Sequence, residues 1–229
     1  MQRAQLRRRI IYCLFCLCLY LFACLHIGHH NQTVHDGKWQ NGNEWCYWDY
    51  PLIELAGKTY GLLGCGKIGY HTAEAAKGLG MHVIAYDKYP SQAARDLGVE
   101  FVELDDLFAR SDVLGLQMPL MEFNTGIIRK ENIAKMKDGV IIINNSRGQI
   151  VAEQDLADAL NSGKVAAAAL DVVSTEPIRS DNPLLRAKNC IITPHMSWGA
   201  KESRQRIMDT TAENVKAFLA GSPVNVVNR

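Results

Sequence analysis

From Lys58 onward, short apolar runs alternate with stretches in which apolar side chains return every three or four positions. The first pattern suits strands buried on both faces of a parallel sheet, and the second suits helices that cover it. Read this way, strands fall at residues 59–63, 82–86, 113–117, 140–144, 165–170 and 190–193, with Pro119 and Pro194 as breakers. Helices fall between them at 68–79, 104–110, 130–135 and 153–161. A long helix over 200–220 follows, with Ile207, Thr211, Val215, Phe218 and Leu219 on one face and Gly221 and Pro223 ending it. There is no internal repeat. Successive βαβ units predict an α/β chain built on a doubly wound parallel sheet, with extra segments at both ends.

Between the first strand and the first helix stand Gly64, Gly66 and Gly69, spaced G-x-G-x-x-G. Each glycine answers a physical need of a dinucleotide cradle: a tight turn, close approach of backbone to pyrophosphate, and close helix-on-strand packing. The phosphates would then meet the N–H groups at the helix start. The next strand ends in Asp87, placed to accept hydrogen bonds from the adenosine ribose and to repel a 2′-phosphate, which favours NAD over NADP.

Charge and composition narrow the classes. The net charge is +1, and Arg3, Arg7, Arg8 and Arg9 leave −3 for the remainder, so there is no electrostatic footprint for nucleic acid. Of seven cysteines, Cys13, Cys16, Cys18 and Cys24 crowd the apolar beginning; Cys13 and Cys16 have a ligand spacing but no partner pair, and no metal is expected. The uncharged run 10–25 behind four arginines outlines a secretory signal or anchor, yet at 16 residues it falls short of the roughly 20 that span a bilayer. Cytoplasmic placement is expected, and a membrane-anchored form rests on that run alone. His29, His30 and His35 suit the polar face of a helix better than a metal site.

Three charged residues follow three strands. Arg147 closes Asn144-Asn145-Ser146-Arg147-Gly148, Glu176 follows 165–173, and His195 follows Thr193-Pro194. Open parallel sheets place ligands at these strand ends. An arginine fork can hold an α-keto acid by carboxylate and carbonyl oxygen, and a protonated histidine can give its proton to that oxygen. A glutamate on the other ring nitrogen would favour the imidazolium and fix the ring.

With these motifs together, the chain resembles the D-isomer-specific 2-hydroxyacid dehydrogenases, most closely the glycerate dehydrogenase or hydroxypyruvate reductase branch. The likeness runs from about Leu25 to the end and takes in the glycine loop, 144–148, 171–177, 193–198 and the closing 223–227. It implies a Rossmann NAD-binding domain over 25–199, a C-terminal remnant of a substrate domain over 200–229, and a basic, apolar segment of unclear origin over 1–24. It implies a catalytic set of Arg147, Glu176 and His195, with Arg147, His195 and Trp198 around the substrate. The cofactor set is Gly64, Gly66, Lys67, Ile68, Gly69, Asp87, Met118, Pro119, Asn124, Ser146, Arg147, Asp171 and His195; Asp171 would hold the nicotinamide carboxamide and Met118-Pro119 would border the adenine.

The family usually carries about a hundred residues ahead of this domain, and the chain lacks that stretch, as if from a truncated or misplaced start. NAD binding with weak or absent turnover is therefore expected. Gln117-Met118-Pro119-Leu120 also replaces the usual histidine-containing turn. The functional expectation is hydride transfer between NAD(H) and a small D-2-hydroxy or 2-keto acid, in a homodimer whose arm is about 29–50 with Trp39, Trp45, Tyr47 and Trp48 as anchors. The alternative is a non-enzymatic, corepressor-like NAD-binding module.

Overall fold

The computed structural model describes residues 15–19, 21 and 23–227. Arg3, Arg7, Arg8, Arg9 and Cys13 lie outside them. The elements, in chain order, are α1 (Ile27–His35), β1 (Thr59–Leu63), α2 (Lys67–Gly78), β2 (His82–Tyr86), α3 (Gln92–Asp96), β3 (Glu100–Phe101) and α4 (Leu104–Arg110). These are followed by β4 (Val113–Leu116), α5 (Lys130–Ile133), β5 (Val140–Asn144), α6 (Glu153–Ser162), β6 (Val165–Leu170), β7 (Cys190–Ile192) and α7 (Lys201–Leu219).

The seven strands form one sheet in the order β3-β2-β1-β4-β5-β6-β7, every pair parallel. The order reverses between β1 and β4, the switch point at which such sheets open a ligand crevice. Register aligns Tyr86 with Leu63, Leu63 with Leu116, Leu116 with Asn144, Asn144 with Leu170 and Leu170 with Ile192. One row of strand ends therefore precedes Asp87, Gly64, Gln117, Asn145, Asp171 and Thr193.

Period-two alternation sorts each strand between two core layers. Along β5, Ile142 joins Leu114, Phe108 and Leu160 on one face, while Ile141 and Ile143 join Leu62, Ala73 and Val83 on the other. Each fully buried isoleucine or leucine contributes on the order of 1.5–3 kcal/mol relative to exposure. The second layer also contains Cys16, Leu19, Ala23 and Cys24, which lie among the helical residues 15–19, 21 and 23–25. The expected division at residue 24/25 thus falls beside a packed face, because Cys16, Leu19, Ala23 and Cys24 pack on the sheet. Among the described residues no helix is long and apolar enough to cross a membrane.

The long C-terminal helix is shorter by a residue at each end than its pattern suggested, and its apolar face is open: Val215, Phe218 and Leu219 are 52%, 71% and 78% exposed. Helix α1 does carry His29, His30 and His35, and none of its residues is buried.

Candidate active site

The glycine loop takes the shape its chemistry requires. Gly64 has φ +97°, in the left-handed region that side chains disfavour, and a Cβ there would stand 2.8 Å from the Met118 Cβ. At Gly69 a Cβ would stand 2.7 Å from the Gly64 carbonyl oxygen, so α2 packs against the turn only because the side chain is missing. Gly66, by contrast, has nothing within 4 Å of its Cβ position, and as the N-cap of α2 it provides no side-chain cap. The helix start is open space with uncapped N–H groups, which is what a pyrophosphate needs.

Asp87 stands beside this loop. Its Oδ2 accepts the Cys65 N–H at 2.7 Å and its Oδ1 accepts the Tyr89 N–H at 2.8 Å, so the carboxylate fixes the cradle as well as facing it. Burial pushes the neighbouring Cys65 thiol up to about 11, with the Asp87 charge adding to the shift. A crevice of about 370 Å³ at the switch point is lined by Ile68, Met118, Pro119, Ser146 and Arg147, together with Gln117 and Asn145. The Arg147 guanidinium is exposed, with Nη1 donating to the Ser146 carbonyl at 2.7 Å. Gly148 lies against the next loop so closely that a Cβ would be 1.9 Å from the Val173 carbonyl carbon.

At the same edge a second crevice, of about 660 Å³, is lined by Asp171, Glu176, Pro177, Ile178, Leu185 and His195 among others. His195 Nδ1 lies 2.7 Å from Glu176 Oε2, and the other Glu176 oxygen accepts the Val173 N–H at 3.2 Å. His195 has φ +50°, an uncommon conformation for a residue with a side chain and one that clusters at functional sites. Its N–H donates to the Asp171 carbonyl at 2.9 Å, and the Asp171 N–H donates to the Asn144 carbonyl at 2.8 Å. These backbone bonds continue the ladder past β5, β6 and β7 and fix the three loops relative to one another.

Some expected contacts differ. Asp171 is fully buried, its oxygens accepting the Thr193 hydroxyl at 2.5 Å and the Met196 and Ser197 N–H groups at 2.9 Å. It fastens the loop that carries His195 while bordering the crevice beside it. Asn124 is also fully buried; it accepts the Met121 N–H and donates to the Pro119 carbonyl, closing the loop after β4 from within. Trp198 is 41% exposed and does not line the His195 crevice, and Arg147 lines the neighbouring one. Sequence reasoning noted Gln117 only within the altered turn after β4 and gave it no role; its amide bonds Thr72 of α2 at 2.9 Å and Cys16 at 3.4 Å, tying the apolar N-terminal stretch to the switch point.

Comparison with known proteins agrees with this arrangement. Residues 17–197 match the model for the D-isomer specific 2-hydroxyacid dehydrogenase, NAD binding domain. The chain belongs to this family. Its relatives include a hydroxypyruvate reductase of Blautia hydrogenotrophica, 61% identical over 94% of this chain and 67% of that protein. They also include a glycerate dehydrogenase of Methylorubrum extorquens, 39% identical over 85% of this chain and 60% of that protein. Among solved structures, the Aquifex aeolicus D-lactate dehydrogenase complexed with NAD and lactic acid matches with a TM-score of 0.84 at 28% identity, over 93% of this chain and 67% of that one. The chain therefore spans about two thirds or less of the length of these relatives. As a D-2-hydroxyacid dehydrogenase NAD-binding domain it takes NAD, and the open, uncapped start of α2 beside Asp87 fits that cofactor. The match beginning at residue 17 reaches into the apolar run, in keeping with the packing of Cys16, Leu19 and Ala23 on the sheet.

Proposed function

We propose that the chain transfers a hydride between NAD(H) and a small D-2-hydroxy or 2-keto acid of the glycerate/hydroxypyruvate kind. The observation that supports this most directly is the Glu176–His195 pair at the carboxyl edge of the sheet that carries the glycine cradle. Gly64, Gly66, Lys67, Ile68 and Gly69 hold the pyrophosphate, Asp87 the ribose, and Met118, Pro119 and Ser146 border the rest of the cofactor. Bound there, NADH supplies the hydride. Arg147 receives the acid's carboxylate and carbonyl oxygen in its planar fork and withdraws electron density from the carbonyl carbon. His195, held through Nδ1 by Glu176, leaves Nε2 to give a proton to the carbonyl oxygen and to take it back in the oxidative direction.

Loss of NADH absorbance on adding hydroxypyruvate or glyoxylate to the purified chain tests the reading. A chain that binds NADH yet oxidises it with no small keto acid would overturn the activity and leave the cofactor site. The relatives lend no support to a non-enzymatic module.

The protein is read as a homodimer formed through paired NAD-binding domains, with 29–50 reaching across. Trp39, Trp45 and Trp48 are 50%, 84% and 63% exposed there, and an apolar groove of about 430 Å³ runs between α1 and the following loop. Sedimentation of the chain and of Trp45→Ala separates dimer from monomer. The site of action is read as cytoplasmic, a reading supported by the packing of Cys16, Leu19, Ala23 and Cys24 on the sheet, and fractionation into washed membranes would reject it.

A further inference from the structure

We propose that Glu153 is a positioning residue for the Glu176–His195 pair, acting through the Val173–Ser174 peptide; this rests on the dehydrogenase reading above. Glu153 opens α6, six positions after Arg147 and 23 before Glu176. Its carboxylate faces the loop after β6. Oε1 accepts the Ser174 N–H at 2.7 Å, and Oε2 accepts the Ser174 hydroxyl at 2.7 Å and the Asn182 amide at 3.0 Å.

Gln149 donates to the Ser174 carbonyl at 3.1 Å, so the N–H, hydroxyl and carbonyl of Ser174 are all held. Asn182 is itself fixed, accepting the Leu184 N–H at 3.0 Å. Two consecutive amides are thereby claimed by two carboxylates: Val173 by Glu176 and Ser174 by Glu153.

The Val173 N–H is the second brace on the carboxylate that meets His195, opposite the imidazole. The peptide that follows it, between Val173 and Ser174, is set on one side by Gly148, where no Cβ would fit, and on the other by Glu153. Hydrogen bonds to a charged acceptor are about twice as strong as neutral ones, and the start of a helix favours an anion, so Glu153 is a firm anchor. Remove it, and the loop from Val173 to Glu176 keeps its packing on Gly148 but loses the grip that orients its amides.

The test uses Glu153→Ala, Glu153→Gln and Ser174→Ala in the full chain, with residue-resolved amide exchange and NADH-dependent reduction of hydroxypyruvate. In Glu153→Ala, exchange at both Ser174 and Val173 is expected to rise at least about tenfold, while Met196 and Ser197, held by Asp171, and the amides of β5 stay unchanged. Turnover is expected to fall about tenfold at unchanged KM for NADH. Glu153→Gln, which retains the length and one acceptor, is expected to recover part of both effects. Exchange that rises at Ser174 but not at Val173 would overturn the coupling, as would a uniform rise that includes β5. If the parent chain binds NADH without turnover, the activity reading fails separately, and the exchange pattern still decides the role of Glu153. If Glu153→Ala does not fold, the Glu153→Gln and Ser174→Ala patterns decide it.

Discussion

His195 Nδ1 and Glu176 Oε2 lie 2.7 Å apart, across 19 positions of chain, with both side chains open to solvent on one side. The bond leaves one imidazole nitrogen directed elsewhere and determines which one. A histidine so held, at the end of β7 with its backbone bonded to Asp171, can act on a substrate without first reorganising.

Replacing that imidazole gives the first expectation. His195→Asn should lower NADH-dependent keto-acid reduction by about 10²–10⁴-fold with NADH affinity retained, and Glu176→Gln should cost less because the ring keeps a partner. Steady-state kinetics beside NADH fluorescence titration separates the two quantities. Full turnover in His195→Asn would remove the proton-transfer role.

The glycines divide by what surrounds them. Gly66→Ala introduces a methyl into open space and should leave thermal stability unchanged while weakening NADH binding about tenfold or more, since the pyrophosphate must come close there. Gly69→Ala drives a methyl toward the Gly64 carbonyl at 2.7 Å and should destabilise the fold by about 1–3 kcal/mol. Melting curves and binding titrations on the two variants check the contrast.

Asp87 combines selection with structure. Asp87→Asn should raise affinity for NADPH relative to NADH about tenfold, because the repulsion of a 2′-phosphate goes. It should also loosen the Cys65 N–H that the carboxylate accepts. Paired titrations with both cofactors measure it; an unchanged ratio would count against Asp87 as the selector.

Acid should loosen the segment around α1. Burial, and then the charges of His30 and His29, hold His26 below its ordinary value, so the folded form binds a proton less readily than the unfolded chain. As pH falls below about 6.5 the unfolded state takes up the proton first, and stability from this group, complete above that pH, declines. His26→Asn, compatible with the φ of 48° at this position, should flatten that part of the profile in melts between about pH 5 and 8.

Thiol labelling should follow exposure. Cys18 is exposed, whereas burial pushes Cys65 up to about 11 and Cys190 up to about 12. Alkylation near neutral pH should modify Cys18 well before those two, as peptide mass analysis would show. Early modification of Cys65 would mean that the glycine loop opens more than its packing suggests.

Much of the sheet was legible because its strands are apolar runs too short for helices, separated by helical periods. Thr59–Leu63, His82–Tyr86, Val140–Asn144 and Val165–Leu170 fall where the pattern puts them. Strand β3, two residues long, has no period to read, and α3 is a single short turn of polar and small residues. The apolar beginning could not be read locally for a different reason. A run that packs on a sheet and a run that enters a membrane have the same composition, and the packing of Cys16, Leu19 and Ala23 in the layer of Leu62 and Ala73 is visible only in three dimensions.

By itself the sequence determined the alternation of elements, the glycine turn and the residue types at the strand ends, since these follow from local periodicity and from the backbone freedom of glycine. Tertiary structure alone decided which of those end residues meet. Glu176 reaches His195 because β6 and β7 lie side by side in register, while Asp171 and Asn124, equally suggestive on paper, are turned inward to satisfy buried backbone groups. Contacts between loops far apart in the chain depend on strand order and register, and no local pattern encodes either one.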